Sequence, residues 1–101
     1  MTLVSFLAKL SLLSTESGGR RHPIGTDYRA GLFFDVESNS GNDGVVTLID
    51  QERCFPGEEC VARIRPLVPE LVEQFVRPGS IFEVREGRRV IGHGTVLAES
   101  R

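Results

Sequence analysis

Short apolar segments separated by clusters of turn residues run along the whole chain and limit the folds that it can adopt. The clusters lie at residues 14–27, 37–44, 55–59 and 77–79 and are rich in Gly, Pro, Asn, Asp and Ser, the residue types that turns favour. In the segment 60–68, Ala62 and Ile64 alternate with Arg63 and Arg65, which is the pattern of a strand with one buried face. Short strands at such intervals predict an all-β sandwich or a small barrel.

Six strands are predicted, at residues 4–13, 28–36, 45–49, 60–68, 80–86 and 89–99. For the first of them, the spacing of the apolar residues does not decide between a strand and a helix. The even positions from Val4 to Leu12 are all apolar, as in a strand, whereas Leu3, Phe6, Leu7, Leu10 and Leu13 would also form the stripe of a helix.

The segment PELVEQFV, residues 69–76, breaks the strand pattern. Pro69 suits the first position of a helix, and Leu71, Val72, Phe75 and Val76 stand at helical spacing. We predict a short helix or turn here. Its apolar residues either plug one end of the barrel or extend an apolar contact surface.

Length and charge limit the classes of protein to consider. A chain of 101 residues fits one domain with a core just large enough to fold alone, and we expect a single domain over 1–101. The net charge of −2 argues against a generic nucleic-acid coat protein. Lys9 is the only lysine, so nearly all cations are arginines, which suit specific bidentate contacts; codon bias would produce the same composition.

The apolar beginning, MTLVSFLAKLSLL, does not fit a secretion signal, because no basic region precedes it and no small-residue cleavage site follows it. No segment is long enough for a membrane span. We therefore expect a cytoplasmic protein with no membrane partner.

The residues that could carry chemistry are few. Cys54 and Cys60 match no common zinc or redox spacing, and we favour two reduced thiols packed as small apolar groups, although a bridge across the turn between them is geometrically possible. His22 and His93 have no partners that the sequence places, and no hydrolase or zinc-protease motif is present. We predict no catalytic site, no metal and no cofactor.

Two stretches carry a family resemblance: GGRRHPIGTDYRAGLFF (18–34) and REGRRVIGHGTV (85–96). They resemble the GGR-x-x-P…YRPQFYF and REGGRTVGAGVV stretches of the C-terminal β-barrel domain of elongation factor Tu and related translation GTPases. Between them, FPGEECVARI resembles the family's PGD-containing turn and the strand after it. The matching positions are Gly18, Gly19, Arg20, Pro23, Tyr28, Arg29 and Phe34, then Arg85, Glu86, Gly87, Arg89, Gly92, Gly94 and Val96.

The resemblance implies a six-stranded antiparallel Greek-key barrel in which the first segment is a strand. Gly87 would then form the last turn, and Gly92 and Gly94 would allow close approach or bending of strands. The chain departs from the family at Ala30-Gly31, at Arg88 and in the inserted PELVEQFV. It has no G-x-x-x-x-G-K-[ST] loop, so the family's GTPase activity and its nucleotide are not expected here.

The resemblance also suggests two binding surfaces. One is the side of the barrel that faces the GTPase domain in the family, which predicts a protein-interaction module whose partner is a translation factor, a second copy of the chain or an unrelated protein. The residues expected on this side are Arg20, Arg21, His22, Tyr28 and Arg29.

The alternative is a weak binder of structured RNA, such as a transfer-RNA stem. In the family, residues at the Glu-Gly of REGG and near YRPQ touch the backbone of such a stem, and contacts of that type need donors spaced along phosphates. The residues expected here are Arg29, Arg85, Glu86, Gly87, Arg88 and Arg89. A solvated, charged hairpin would explain the same residues.

Overall fold

The structure, a computed structural model, describes residues 2–35 and 40–101. The strands in this part of the chain are β1 (Ser5–Leu12), β2 (Ile24–Gly25), β3 (Tyr28–Asp35), β4 (Ser40–Leu48), β5 (Arg53–Cys54), β6 (Glu59–Pro66), β7 (Ile81–Glu86) and β8 (Arg89–Ser100). Two 3-10 turns, Thr15–Ser17 and Pro69–Leu71, are the helical elements of the same residues. None of the helical structure described there is long and apolar enough to cross a bilayer.

Six strands close into an antiparallel barrel in the order β1-β6-β4-β3-β7-β8. β3, β4 and β6 follow one another as neighbours, and β7 then returns to lie beside β3. That arrangement is a Greek key, so the predicted fold class is confirmed. The short strands β2 and β5 form a separate two-stranded sheet, which the sequence patterns did not indicate.

The predicted strand boundaries hold within a few residues, with one correction. Residues 40–44 were expected in a turn but belong to β4, which begins at Ser40. Their pairing with β3, where Gly31 lies opposite Asp43 and Leu32 opposite Asn42, outweighs the local preference of Gly, Asn and Asp for turns. Residue 36 and the predicted turn residues 37–39 lie outside the described part of the chain.

The barrel interior resolves the ambiguity of the first strand. Phe6, Ala8 and Leu10 are buried. The alternating pattern, and not the helical one, therefore identifies the side of β1 that faces the barrel interior. The ring of Phe6 meets that of Phe82 edge-on, with centroids 5.8 Å apart. Gly94 lies against the same Phe82 ring, and a Cβ at this position would collide with it. Close approach of β8 to the core therefore requires glycine there.

The inserted segment closes the end of the barrel at which β3 ends. Only Pro69–Leu71 is helical, as a single 3-10 turn with Pro69 in its first turn, so the predicted helix is shorter than the spacing suggested. Val72 and Val76 are buried in the core, and Phe75 stacks on Phe34. Leu71, at 56 % exposure, points outward, so the segment acts mainly as a plug.

Candidate functional site

The two motifs that carry the resemblance meet at the end of the barrel opposite the plug. Gly87, with φ +62°, makes the tight turn between β7 and β8, a conformation that glycine adopts without steric cost. Glu86 and Arg89 consequently face each other as the last pair of the β7–β8 ladder. The first motif reaches the same place from the loop that follows the Thr15–Ser17 turn.

That loop is held by local hydrogen bonds. Ser14 accepts a hydrogen bond from the Ser17 amide at 3.1 Å, which caps the 3-10 turn. The Thr15 hydroxyl donates to the Arg20 carbonyl at 2.6 Å, and Arg20 Nε donates to the His22 carbonyl at 3.1 Å. These bonds direct the Arg20 guanidinium toward the hairpin.

The Glu86 carboxylate is the centre of the site. Its Oε2 accepts hydrogen bonds from Arg20 Nη1 and from the Tyr28 hydroxyl at 2.7 Å. Arg89 Nη2 lies 3.4 Å from Oε1. The Arg20 guanidinium also lies over the Tyr28 ring, with Cζ 5.0 Å from the centroid, a favourable cation–π distance. We call these four residues the Glu86 cluster.

The cluster shifts the pKa of two of its members. Partial burial alone would raise the pKa of Glu86, but the hydrogen bond from Tyr28 and the charge of Arg20 outweigh it, so the pKa lies below its ordinary value. Burial, followed by the hydrogen bond to Glu86, raises the pKa of Tyr28. Glu86 is therefore an anion and Tyr28 a neutral donor at neutral pH.

A shallow cleft of about 240 Å³ opens beside the cluster. It is lined by Arg20, Arg21, His22, Glu86 and Arg89. The one carboxylate among these residues already accepts bonds from two arginines and a tyrosine. The exposed Arg21 lacks an ion-pair partner among the residues that the structure describes. The cleft, which we call the arginine cleft, therefore offers unsatisfied donors to an anionic group such as a carboxylate or a phosphate.

The exposed Arg88 stands at the tip of the β7–β8 hairpin, between Gly87 and Arg89. It too lacks an ion-pair partner within residues 2–35 and 40–101. No group of three metal-ligating side chains occurs in that part of the chain. The exposed guanidinium groups at this end of the barrel are of the type that can bind an anion.

Two of the predicted site residues lie elsewhere. Arg29 is on the outer side of β3, where Nη2 lies 3.2 Å from Asp43 Oδ2. Arg85 lies over the Phe33 ring, with Cζ 4.1 Å from the ring centroid. Its Nη2 lies 2.7 Å from Glu83 Oε1, and its side chain is only 12 % exposed. The structure therefore brings Arg20, Arg21, His22, Tyr28, Glu86 and Arg89 together but leaves Arg29 and Arg85 on the outer face of the sheet.

Sequence reasoning placed Tyr28 and Glu86 in two different surfaces, and it assigned no role to Asp43, Glu83 or Phe33. The Glu83–Arg85 pair had a readable signal, because residues two apart on a strand share a face. The bond between Tyr28 and Glu86 had none, since 58 residues separate them and only closure of the barrel brings them together.

One comparison with known proteins bears on this arrangement. The family model described as Elongation factor Tu C-terminal domain matches residues 1–98. The match spans both motifs, five of the barrel strands in full and β8 as far as Ala98. The closed antiparallel barrel agrees with the fold that the motifs implied. The chain belongs to the elongation factor Tu C-terminal domain family.

Proposed function

We propose that this barrel is a non-catalytic protein-interaction module that docks an anionic group of its partner into the arginine cleft. The observation that carries the proposal is the convergence of both family motifs on Glu86, beside arginines that have donors to spare. The family's C-terminal barrel is non-catalytic in itself, and a translation-factor-like module is the coarse description that family membership supports.

The Glu86 cluster supports a rigid binding site. Arg20 is held by Glu86, by the ring of Tyr28 and by the His22 carbonyl. Because its geometry is set before a partner arrives, little conformational entropy is lost on binding. Arg21 and Arg89 flank it on the more exposed rim. Tyr28 serves as a positioning residue, since its hydroxyl is used by Glu86.

The chemistry of the cleft defines the partner more narrowly than the family does. Arginine forks match carboxylates in a bidentate geometry, so an exposed Asp, an exposed Glu or a terminal carboxylate would fit. A translation factor or a second copy of this protein can each present such a group. We propose a cytoplasmic role, with neither a nucleotide nor a metal taking part.

The test compares Arg21→Ala with Arg53→Ala, an exposed arginine on β5 outside the cleft, so that both variants lose one positive charge. Tagged wild-type protein is used to isolate partners from the native cell, and the retained protein is then purified and titrated. We expect Arg21→Ala to weaken binding at least fivefold, as for an interface arginine of the kind that dominates affinity, and Arg53→Ala to leave it unchanged. Equal affinities of the two variants would remove the cleft from the proposal.

Structured RNA is a second candidate, favoured by the exposed Arg88 at the hairpin tip beside Arg89. Phosphate contacts make affinity fall steeply with salt. Labelled transfer RNA should therefore bind with a salt slope that Arg88→Ala/Arg89→Ala reduces by up to about two contacts. Dissociation constants above about 100 μM at low salt, weaker than ordinary non-specific binding, would exclude RNA.

A further inference from the structure

We propose that the anionic group docked in the arginine cleft is a phosphomonoester, carried by the partner protein as a phosphorylated serine or threonine. This inference rests on the proposed function and narrows it to one class of partner. Three features of the cleft carry it: the surplus of positive charge on its walls, the hydrogen-bond donors that remain there, and the fixed position of Arg20.

Charge distinguishes a phosphate from a carboxylate at this site. The cleft is lined by three guanidinium groups, those of Arg20, Arg21 and Arg89, and by one carboxylate, that of Glu86. Three positive charges against one negative charge leave a surplus of two. A phosphomonoester carries about −1.5 to −2 at neutral pH, so it balances this surplus. A carboxylate side chain would leave about one positive charge uncompensated.

The three arginines still have N–H donors to give. Arg20 donates from Nε to the His22 carbonyl and from Nη1 to Glu86, while its Nη2 makes no hydrogen bond within the described part of the chain. The Arg21 side chain has no ion-pair or hydrogen-bond partner among the same residues. Arg89 lies 3.4 Å from Glu86 Oε1 with its side chain 56 % exposed, so it can turn toward a ligand at little cost. The three acceptor oxygens of a phosphate match donors on three guanidinium groups.

The position of Arg20 is set before a ligand arrives. Its side chain is only 22 % exposed, its guanidinium lies over the Tyr28 ring, and Glu86 accepts a hydrogen bond from it. A guanidinium that is already held in place loses little freedom when it binds an anion. Hydrogen bonds from arginine to phosphate are charge-assisted and frequently bidentate. Tyr28 and Glu86 thus fix a guanidinium that receives the phosphate.

The shape of the cleft favours a protein over a nucleic acid as the carrier of the phosphate. Its volume of about 240 Å³ is several times the roughly 30 Å³ of one water molecule in the liquid, so a phosphate group fits together with its ester carbon. Because the cleft is shallow, the short side chain of phosphoserine or phosphothreonine can bring the phosphate to the guanidinium groups. A nucleic-acid backbone instead presents single negative charges spread along a line, which three arginines around one cleft match less well.

The first experiment compares three capped peptides that differ at a single position. They share a short glycine–alanine sequence whose central residue is phosphoserine, glutamate or serine, and each is titrated against isotope-labelled protein in NMR spectra. The phosphoserine peptide should shift the amide signals of residues 20–22 and 86–89, with a dissociation constant at least about fivefold lower than that of the glutamate peptide. The serine peptide should shift none of them. Equal affinities for phosphoserine and glutamate, or no shift with phosphoserine, would overturn the inference.

Variants show whether the phosphoserine peptide binds in the cleft. Arg21→Ala should weaken its binding about fivefold or more, whereas Arg53→Ala, which removes the same charge outside the cleft, should leave the affinity unchanged. Arg21→Lys keeps the charge but loses the planar fork, so its affinity should lie between those of wild type and Arg21→Ala. The NMR spectra of the same samples show that each variant is folded. Equal weakening by Arg21→Ala and Arg53→Ala would mean that overall charge alone attracts the peptide, and it would overturn the site.

Phosphatase treatment separates this inference from the proposed function. The partner isolated with tagged wild-type protein is titrated before and after the treatment. Loss of binding after treatment, together with weaker binding of Arg21→Ala, supports both proposals. Binding that survives the treatment but still depends on Arg21 would overturn the phosphate and leave the docking of a carboxylate in place. Binding that does not depend on Arg21 would remove the cleft from both proposals, whatever the phosphatase does.

Competition identifies the source of the phosphate. Inorganic phosphate and transfer RNA are each added to the complex of the protein with its isolated partner. Inorganic phosphate should displace the partner only at millimolar concentrations, because it lacks the contacts that surround a phosphorylated residue. Displacement by micromolar inorganic phosphate or by micromolar transfer RNA would assign the cleft to free phosphate or to a nucleic acid, and either result would overturn the inference.

Discussion

The Glu86 cluster should behave as one coupled unit in the free energy of unfolding. The perturbations are Tyr28→Phe, which removes only the hydroxyl, and Glu86→Gln, which keeps the shape but removes the charge. Tyr28→Phe removes the 2.7 Å hydrogen bond between Tyr28 and Glu86. Glu86→Gln weakens the same bond, because its acceptor becomes an uncharged amide oxygen. The double variant should therefore cost less than the two single variants together.

The magnitude follows from burial and charge. A hydrogen bond to a charged group contributes about 1.5–3 kcal/mol when it is buried, but the Glu86 side chain is 38 % exposed, so solvent screens the bond. We expect a coupling energy of about 1 kcal/mol between Tyr28 and Glu86. In a domain of this size each kcal/mol changes Tm by roughly 4–8 °C.

Urea unfolding followed by circular dichroism measures this energy. Asp43→Asn is the matched control, because it breaks the more exposed ion pair with Arg29 and should cost less than about 0.5 kcal/mol. A coupling energy below about 0.3 kcal/mol, the usual scatter of additive pairs, would refute the view of Glu86 as the organising carboxylate.

The pH dependence of stability gives a second readout of the same cluster. The pKa of Glu86 lies below its ordinary value of 4.5. The contribution of its ionised form to the free energy of unfolding is therefore complete above pH 4.5 and is lost as the pH falls through the folded-state pKa. The difference in the free energy of unfolding between wild type and Glu86→Gln should consequently shrink in acid. The raised pKa of Tyr28 has the opposite sign: its contribution is complete below its ordinary pKa of 10.0 and is lost progressively at higher pH. The stability of wild type relative to Glu86→Gln in acid, and relative to Tyr28→Phe above pH 10, tests the two assignments. A difference that does not change with pH in either range would contradict them.

Four further substitutions test the fold. Gly94→Ala should cost about 1–3 kcal/mol, because its methyl group collides with Phe82 and overpacks the core; a wild-type Tm would show that β8 can move away. Val76→Ala should lower the free energy of unfolding by about 2 kcal/mol, because buried apolar area is lost. Leu71→Ala, on the exposed side of the same plug, should change it by less than about 0.5 kcal/mol. Equal costs of the two variants in chemical denaturation would show that the plug is not packed against the core. Gly87→Ala should cost about 1–2 kcal/mol, since φ +62° strains any residue with a Cβ, and an unchanged midpoint would mean that the hairpin rearranges.

Much of the fold could be predicted from residue order because the relevant interactions are local or periodic. Alternation in β6 assigns Ala62 and Ile64 to the core and Arg63 and Arg65 to solvent, and burial follows that pattern throughout the strand. Gly87 and the turn residues around it predict the last hairpin from backbone conformation alone. The same reasoning failed at residues 40–44, where pairing with β3 extends β4 through residues that prefer turns.

The candidate site was predictable only in its parts. Residue order is enough to show that arginines cluster near residues 20 and 88 and that one hairpin carries Glu86, since these are facts of neighbouring positions. The network of Arg20, Tyr28 and Glu86, and the packing of Arg85 on Phe33 beside Glu83, depend on the folded barrel. Closing a barrel joins strands that are far apart in sequence, and the pairing register, which no single strand encodes, sets which side chains meet.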